Sequence, residues 1–336
     1  MTHARMKLAL LLPNQGVVFG AISVRELIEM AEVADASQVF DAAFVGDNIL
    51  AKPRLESITT LSALAVRTRR LRLGVACLAS FPLRNAIVLA AQWGALDNLA
   101  EGRTILVACM GGGGAGGKSA TGGLFNNEYA AFGIPTGERA ARLEEGIEVL
   151  RALWTQDPAS FHGRFYDFEG IAVRPPPVQK PCPPIWIANN PQVFGARPDV
   201  VQRSVERVGR LADGWMTFKP TPQSFRESWA AIGAAARAHG RDPSAMESAV
   251  YFNVHVGDDV EAAYAETKRF LDHYYGQNHE RKGIDQWSAY GPPEVCAARL
   301  REFADAGVHL CTLRLTAFDQ IGQTRRFIEQ VAPLLS

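Results

Sequence analysis

Residues 64–108 read LAVRTRRLRLGVACLASFPLRNAIVLAAQWGALDNLAEGRTILVA. Two short apolar runs, Leu71–Cys77 and Thr104–Cys109, bracket a longer stretch of helical character, Ile87–Leu99. The runs lack polar alternation, as strands covered on both faces do, and the stretch between them is long enough for three helical turns. Strand, helix and strand in this order form one crossover unit of a parallel sheet.

The same unit repeats outward in both directions. Further apolar runs lie at Lys7–Leu12, Ala42–Gly46, Ile185–Ala188, Gly214–Thr217, Val250–Val256 and His309–Thr316. Helical patterns separate them. Val24, Leu27, Ile28, Ala31 and Ala34 share one face behind Ser23 as a cap, and Leu143, Ile147, Leu150 and Trp154 share another behind Thr136. Other helices are expected over 55–68, 200–208, 224–239, 259–274, 293–306 and 323–335. Eight strands, each followed by a helix, favour a single (β/α)8 TIM barrel over residues 1–336, with a doubly wound open sheet as the competitor.

Three stretches break the repeat: a Gly/Asn-rich excursion at 110–135, an aromatic hairpin with a proline-rich return at 160–184, and a polar excursion at 276–292. Long loops on the catalytic face of a barrel usually serve as lids or walls. That role is expected of the first two, and a solvated surface insertion of the third.

Composition narrows the function classes. The 336 residues carry 35 basic and 35 acidic side chains, so nothing marks a nucleic-acid partner or an anionic membrane surface. The five cysteines at 77, 109, 182, 296 and 311 are scattered, which suits reduced thiols in a cytoplasm better than a disulfide framework. No clustered His/Asp/Glu set suggests a metal. The apolar run Leu8–Leu12 is too short for a signal-peptide core and ends at the turn Pro13–Gly16.

Gly112–Ser119 ends in GKS and formally matches a P-loop. A P-loop needs a helix beginning at its Lys-Ser, so that amides and dipole face the phosphate. The Ala-Thr-Gly-Gly that follows is a poor helix start. The preferred reading is a flexible glycine wall, with nucleotide hydrolysis as a minor alternative.

Several segments together resemble the bacterial luciferase-like flavin monooxygenases and their deazaflavin-dependent relatives. They are AEVADASQVFDAAFVGDN (31–48), the stretch 64–108, NEYAAFGIPTGERAARLEEGIEVLRALW (127–154), FHGRFYDFEGIAVRPPPVQKPCPPIWIA (161–188) and RLADGWMT (210–217). Each is modestly specific; their order and spacing are much more so. The resemblance covers most of residues 6–240.

It implies a barrel with a flavin at the carboxyl ends of the strands. Reduced FMN, supplied by a separate reductase, would react with O2 in a water-poor cavity and oxygenate a small organic substrate. Relatives that use the deazaflavin coenzyme F420 transfer hydride instead. The protein's share of either chemistry is binding, orientation and exclusion of water. A third possibility is a barrel that binds flavin without turnover.

Position by position, Asp47 and Asn48 match a family Asp-His pair, with Asn where the family has a candidate acid/base. Asparagine hydrogen-bonds but does not titrate near neutral pH, which weighs against hydride-transfer relatives that use that histidine. Ala76 and Cys77 fall where the family often has a non-prolyl cis peptide behind the flavin ring, and no partner for Cys77 is visible in the sequence. Cys109, Met110 and Gly111 match a Gly-x-Gly approach to the cofactor. Glu128 is either catalytic or a helix-start residue. Ala188, Asn189 and Asn190 match a phosphate loop, and Asp213, Gly214 and Trp215 a motif that helps close it. For Asp213 a structural hydrogen-bonding role competes. Arg84 is read as helix-start structure first, and Lys219, His255 and Arg314 as lesser polar contacts. The family usually pairs as homodimers. The segment 84–99, with Ile87, Leu89, Trp93 and Leu96, could serve as that interface or pack on its own barrel.

Overall fold

The computed structural model describes residues 5–112, 120–191 and 197–335. Its strands are β1 (Lys7–Leu12), β2 (Ala42–Val45), β3 (Arg72–Val75), β4 (Thr104–Ala108), β5 (Ala159–His162), β6 (Asp167–Ile171), β7 (Ile185–Ala188), β8 (Gly214–Phe218), β9 (Glu247–Val256), β10 (Ser288–Gly291) and β11 (Leu310–Leu315). Parallel pairing runs β1-β2-β3-β4-β7-β8-β9-β11, and β11 pairs with β1 to close an eight-stranded barrel. The helices are α1 (Val24–Ser37), α2 (Ser57–Arg67), α3 (Ala86–Leu99), α4 (Ala120–Ala131), α5 (Arg139–Thr155), α6 (Pro198–Leu211), α7 (Pro222–Ala238), α8 (Val260–Tyr275), α9 (Arg281–Gln286), α10 (Pro293–Asp305) and α11 (Gln320–Arg326).

Alternation along each strand divides the apolar residues between two cores. One set, including Leu10, Ala43, Val45, Leu73 and Leu106, packs outward against helices. The other, including Leu11, Phe44, Ile105, Val107, Trp186 and Met216, fills the barrel. Two glycines make room for the large interior rings. A Cβ on Gly74 would lie 2.5 Å from the Ile105 carbonyl oxygen and 2.7 Å from Phe44, and one on Gly214 would lie 2.6 Å from the Trp186 indole.

Local signals hold at several element ends. Ser23 and Glu26 form a reciprocal capping box at the start of α1. Thr136 instead opens a short 3-10 turn, and α5 begins at Arg139 without a side-chain cap. In α3, Leu89, Trp93 and Leu96 face the chain's own core, while Val88 and Leu99 are exposed. Three of the four residues named for a dimer interface are thus buried within the protomer, and the fourth, Ile87, is half-buried.

Two expectations about the excursions fail. The aromatic hairpin β5–β6 follows α5 and packs along its outside, with Tyr166 accepting the Ala86 N–H at 2.9 Å. A helix-to-strand connection of this kind does not cover the mouth. The 276–292 stretch is not a solvated insertion. It carries α9 and β10, and β10 continues the sheet along the β9 edge beyond the end of β8. Ile284 and Trp287 are buried there, because two apolar residues among polar ones suffice to anchor a short segment.

Candidate functional site

The carboxyl ends of β2, β3 and β4 form one arc of the barrel mouth. Asp47 is buried behind it. One oxygen accepts from Ser57 Oγ and Arg84 Nη2, and the other from the Ser80 N–H and Oγ, at 2.6–3.0 Å. All four bonds stay within the chain, so Asp47 holds the turn after β3 rather than offering an oxygen to a cofactor. Arg84 also bonds Ser80 Oγ and Glu56, the structural role expected first for it. Asn48 is 7% exposed; its Oδ1 accepts from Arg54 at 3.1 Å, and its Nδ2 has no partner among the described residues.

The peptide between Ala76 and Cys77 is cis, as expected. Cys77 does have a partner, contrary to the reading of the sequence. Its thiol hydrogen-bonds the Cys109 sulfur across the neighbouring strand ends, and both residues are half-buried. Donating to Cys109, with burial added, pushes the Cys77 thiol up. The same bond, against burial and helped by the Gly111 N–H, brings Cys109 down. Thirty-two residues separate the two in sequence, and only strand pairing brings them together.

Gly111 takes φ +74°, and a Cβ there would sit 2.9 Å from the Ala79 carbonyl oxygen. This glycine serves the packing of the chain on itself, and Met110 O is fixed by the Tyr129 hydroxyl at 2.9 Å. The glycine string at 113–119, and with it the Lys-Ser of the P-loop match, lies outside the described residues. The helix α4 does begin at Ala120, against the expectation from Ala-Thr-Gly-Gly. Tertiary anchoring at Glu128 and Tyr129 overrides the weak local propensity. Glu128, 1% exposed, accepts the N–H groups of Ile49, Leu50 and Ala51 with Oε1, while Oε2 has no partner among the described residues. It clamps the loop after β2.

At the end of β7, Ala188 is half-buried and the two asparagines turn toward protein. Asn189 bonds Ser204 O through Nδ2 and accepts from Trp215 Nε1 at 2.6 Å; Asn190 Oδ1 accepts from Thr217 and the Phe218 N–H. Their side chains fasten the loop, and the Asn189 N–H adds a bond to Met216 O at 3.1 Å. Asp213, Gly214 and Trp215 occupy the beginning of β8, with Trp215 beside Ile187 near the end of β7. Asp213 there binds Arg151, Arg241 and the Ile185 N–H, and Trp215 packs on Phe225 and Trp229.

The opposite arc surrounds Arg314, a lesser candidate of the sequence, with residues that the sequence does not single out. The helix expected over 259–274, α8, lies over the mouth. Gln15 Nε2 donates to Tyr274 O, Phe270 packs on Phe19 and Phe318, and Tyr275 packs on Trp287. Every one of these partners follows the carboxyl end of a strand or belongs to the 276–292 excursion. Under this cap sit Lys52, Arg54, Arg314, Tyr251, Tyr274 and Tyr275. Arg314 lies 3.8 Å from the Tyr274 ring centre and 4.8 Å from that of Tyr251, and it donates to the Tyr275 hydroxyl at 2.9 Å. Lys52 lies 4.5 Å from the Tyr275 ring centre. Burial, then the neighbouring Arg54 and Arg314, brings Lys52 down to about 8. Burial pushes the Tyr274 phenol up, but Arg314, Arg54 and Lys52 outweigh it and pull it down to about 8.

Of the lesser sequence candidates, Lys219 stacks on Trp287 at 4.1 Å with its ammonium depressed by burial. His255 is buried, with Nδ1 on Thr316 O at 3.0 Å.

A closed parallel barrel with its polar constellation at the carboxyl ends of the strands defines the class: a TIM-barrel enzyme. The family described as luciferase-like monooxygenase matches residues 6–310, and the chain belongs to it. It is similar to an FMNH2-dependent dimethylsulfone monooxygenase of Pseudomonas putida, 29% identical over 64% of this chain and 54% of the relative. It is also similar to F420-dependent glucose-6-phosphate dehydrogenase 2 of Rhodococcus jostii, 25% identical over 93% of this chain and 94% of the relative. In fold it is similar to the monooxygenase RslO1 of Streptomyces bottropensis, with a TM-score of 0.81 at 20% identity over 98% of this chain and 100% of the other. The chain is thus an enzyme of a family with both FMN- and F420-dependent members. Among the described residues no helix is long and apolar enough to cross a membrane.

Proposed function

We propose that the chain is a two-component monooxygenase that takes reduced FMN from a separate reductase and uses O2 on a small organic substrate. Asn48 carries the reading. It occupies the strand-end position where hydride-transfer relatives resemble one another in having a histidine, and its buried, unpartnered Nδ2 is a donor that cannot move a proton at neutral pH. A site that orients but does not titrate suits oxygen transfer better than acid/base-assisted hydride transfer.

The residues present fit a flavin. Asn48 Nδ2 offers an unspent buried donor, and Ala76, Cys77, Cys109, Met110 and Gly111 make a continuous ledge for the ring. The loop Ala188–Asn190 takes the phosphate end through the Asn190 N–H, which has no partner among the described residues, while the Asn189 N–H is held by Met216 O. Reduced flavin, when bound, supplies two electrons to O2, so that one oxygen atom goes to the substrate and the other leaves as water. Asp47, Ser80 and Arg84 position the ledge, and Glu128 holds the loop that carries Asn48. The aromatic cap of α8 excludes water, which would otherwise divert the reaction. Trp215 acts only through Asn189, whose side chain its indole N–H holds, and Asp213 braces the start of β8.

A second reading, an F420-dependent dehydrogenase, is favoured by the near full-length match to relatives of that kind. Titration of the purified protein with reduced FMN and with reduced F420 separates the two. Binding of reduced FMN and substrate-dependent O2 consumption are expected; binding of F420 alone overturns the monooxygenase reading.

A further inference from the structure

Three cations gather at the mouth of the barrel, Lys52, Arg54 and Arg314, and among the described residues none of them forms an ion pair with a carboxylate. Arg54 donates to Lys52 O, Gln15 Oε1, Asn48 Oδ1 and the Tyr274 hydroxyl, none of them a carboxylate. The groups acting on Lys52 and Arg314 are tyrosines and other cations, with no carboxylate among them. A phenol with a pKa of about 8 is only about a tenth ionised at pH 7, so Tyr274 does not neutralise three cations.

Burying a cation costs several kcal/mol, and an aromatic face returns only about 0.5–2 kcal/mol of it. Buried charges are therefore normally paired. Arg314 is 5% exposed and offers five N–H donors, of which the Tyr275 hydroxyl takes one. Beside it the Tyr251 hydroxyl, in a residue 7% exposed, has no partner among the described residues. A guanidinium with donors to spare thus lies against the phenol whose hydroxyl is unspent.

Lys52 follows β2, Arg314 ends β11 and Tyr251 lies on β9. The flavin ledge lies on β3, β4 and β7, across the mouth. Arg54 joins the two halves through its bond to Asn48. We propose that Lys52, Arg54 and Arg314, with the Tyr251 hydroxyl, form a subsite for an oxyanion carried by the organic substrate: a sulfonate, phosphate or carboxylate. The subsite fixes the charged end of the substrate on the β11–β1–β2 side and turns its remainder toward the cofactor ledge. This assignment rests on the oxidoreductase reading for what the bound molecule is, though the anion site itself is testable without any cofactor.

The purified protein is titrated with sulfate, butane-1-sulfonate, butyl phosphate and butyrate at constant ionic strength, with butan-1-ol as the uncharged control. Binding is followed by calorimetry and by the ultraviolet absorbance of the early-titrating tyrosine. An anion beside Tyr274 cancels the field that depresses its phenol. Saturation with the preferred anion is therefore expected to move that titration upward by about one pH unit. Arg314→Gln is expected to weaken binding by about tenfold or more, the worth of one charge-assisted hydrogen bond. Lys52→Met serves as a second variant if Arg314→Gln does not fold. The tightest of the three organic anions identifies the group. The proposal is overturned if no anion shifts the titration at 100-fold the concentration of protein or above, if butan-1-ol shifts it equally, or if both variants bind as the parent does. The same samples titrated with reduced FMN keep the two readings apart. Anion binding without FMN binding sinks the monooxygenase and leaves the subsite; FMN binding with an anion-blind tyrosine does the reverse.

Discussion

Replacing Asp47 by asparagine tests whether this residue holds the site together rather than taking part in it. The carboxylate accepts four hydrogen bonds, from Ser57 Oγ, Ser80 N, Ser80 Oγ and Arg84 Nη2. An amide keeps one oxygen, enough for two of the four donors, and turns an NH2 toward the other two. Arg84, only 12% exposed at its side chain, loses one of its two carboxylate partners and keeps Glu56. Losing two bonds to a charged acceptor and half of a buried ion pair comes to about 3 kcal/mol. Urea denaturation followed by tryptophan fluorescence reads this as a drop in midpoint of about 1 M at a slope of about 3 kcal/mol/M. A double-mutant cycle with Arg84→Gln is expected to show a coupling of about 1–3 kcal/mol. Reduced-FMN affinity should fall as well, because Ser80 and the turn after the cis peptide lose their anchor. Asp47→Asn within about 1 kcal/mol of the parent, with no coupling to Arg84, would refute the positioning role.

Glu128→Gln retains an oxygen for the three amides of Ile49, Leu50 and Ala51 and should leave stability and turnover nearly unchanged, whereas Glu128→Ala strands those donors and costs about 2–4 kcal/mol in thermal or urea melts. A hundredfold loss of kcat in Glu128→Gln with native stability would show that the acid itself reacts. Gly74→Ala should be among the most damaging single-methyl changes in the chain, since its Cβ meets the Ile105 carbonyl at 2.5 Å; about 3 kcal/mol or more is expected in the same melts. Tyr274 gives a pH dependence of known sign. Its folded pKa of about 8 lies below the unfolded value near 10, so the unfolded state holds the proton longer and stability from this group rises from pH 8 to 10 and is lost as pH falls through 8. Lys52, also lowered to about 8, prefers to be neutral when folded and adds in the same direction over the same window. The stability difference between the parent and Tyr274→Phe should therefore grow from pH 7.5 to pH 9.5; a flat difference would show that the phenol is not depressed.

The barrel and its eight strands were legible from residue order alone. Runs such as Leu71–Cys77 and Thr104–Cys109 are apolar because parallel strands are buried on both faces, and that demand is local enough to be written into each segment. The cis peptide at Ala76–Cys77 and the tie between the asparagines and the end of β7 lay within reach of the family resemblance, which carries position along a strand. Asp213 shows the limit of that reach: the motif names the strand it opens but not the bonds to Arg151 and Arg241 that hold it there. The Cys77–Cys109 pair, the clamp of Glu128 on the loop after β2, and the gathering of Lys52, Arg54 and Arg314 under α8 join residues between 32 and 262 positions apart. Assembly of the strands and loops around the barrel makes each of these contacts, and nothing in the composition of the separate segments records it. The helical pattern at 259–274 is the clearest instance. Its amphipathic spacing specifies a helix with an apolar face, and that face is satisfied equally by the barrel wall or by the ring of loops at the mouth. The sequence determined that α8 is a helix; only the tertiary structure, through the extra strand β10 and the burial of Trp287, decided that it lies across the mouth.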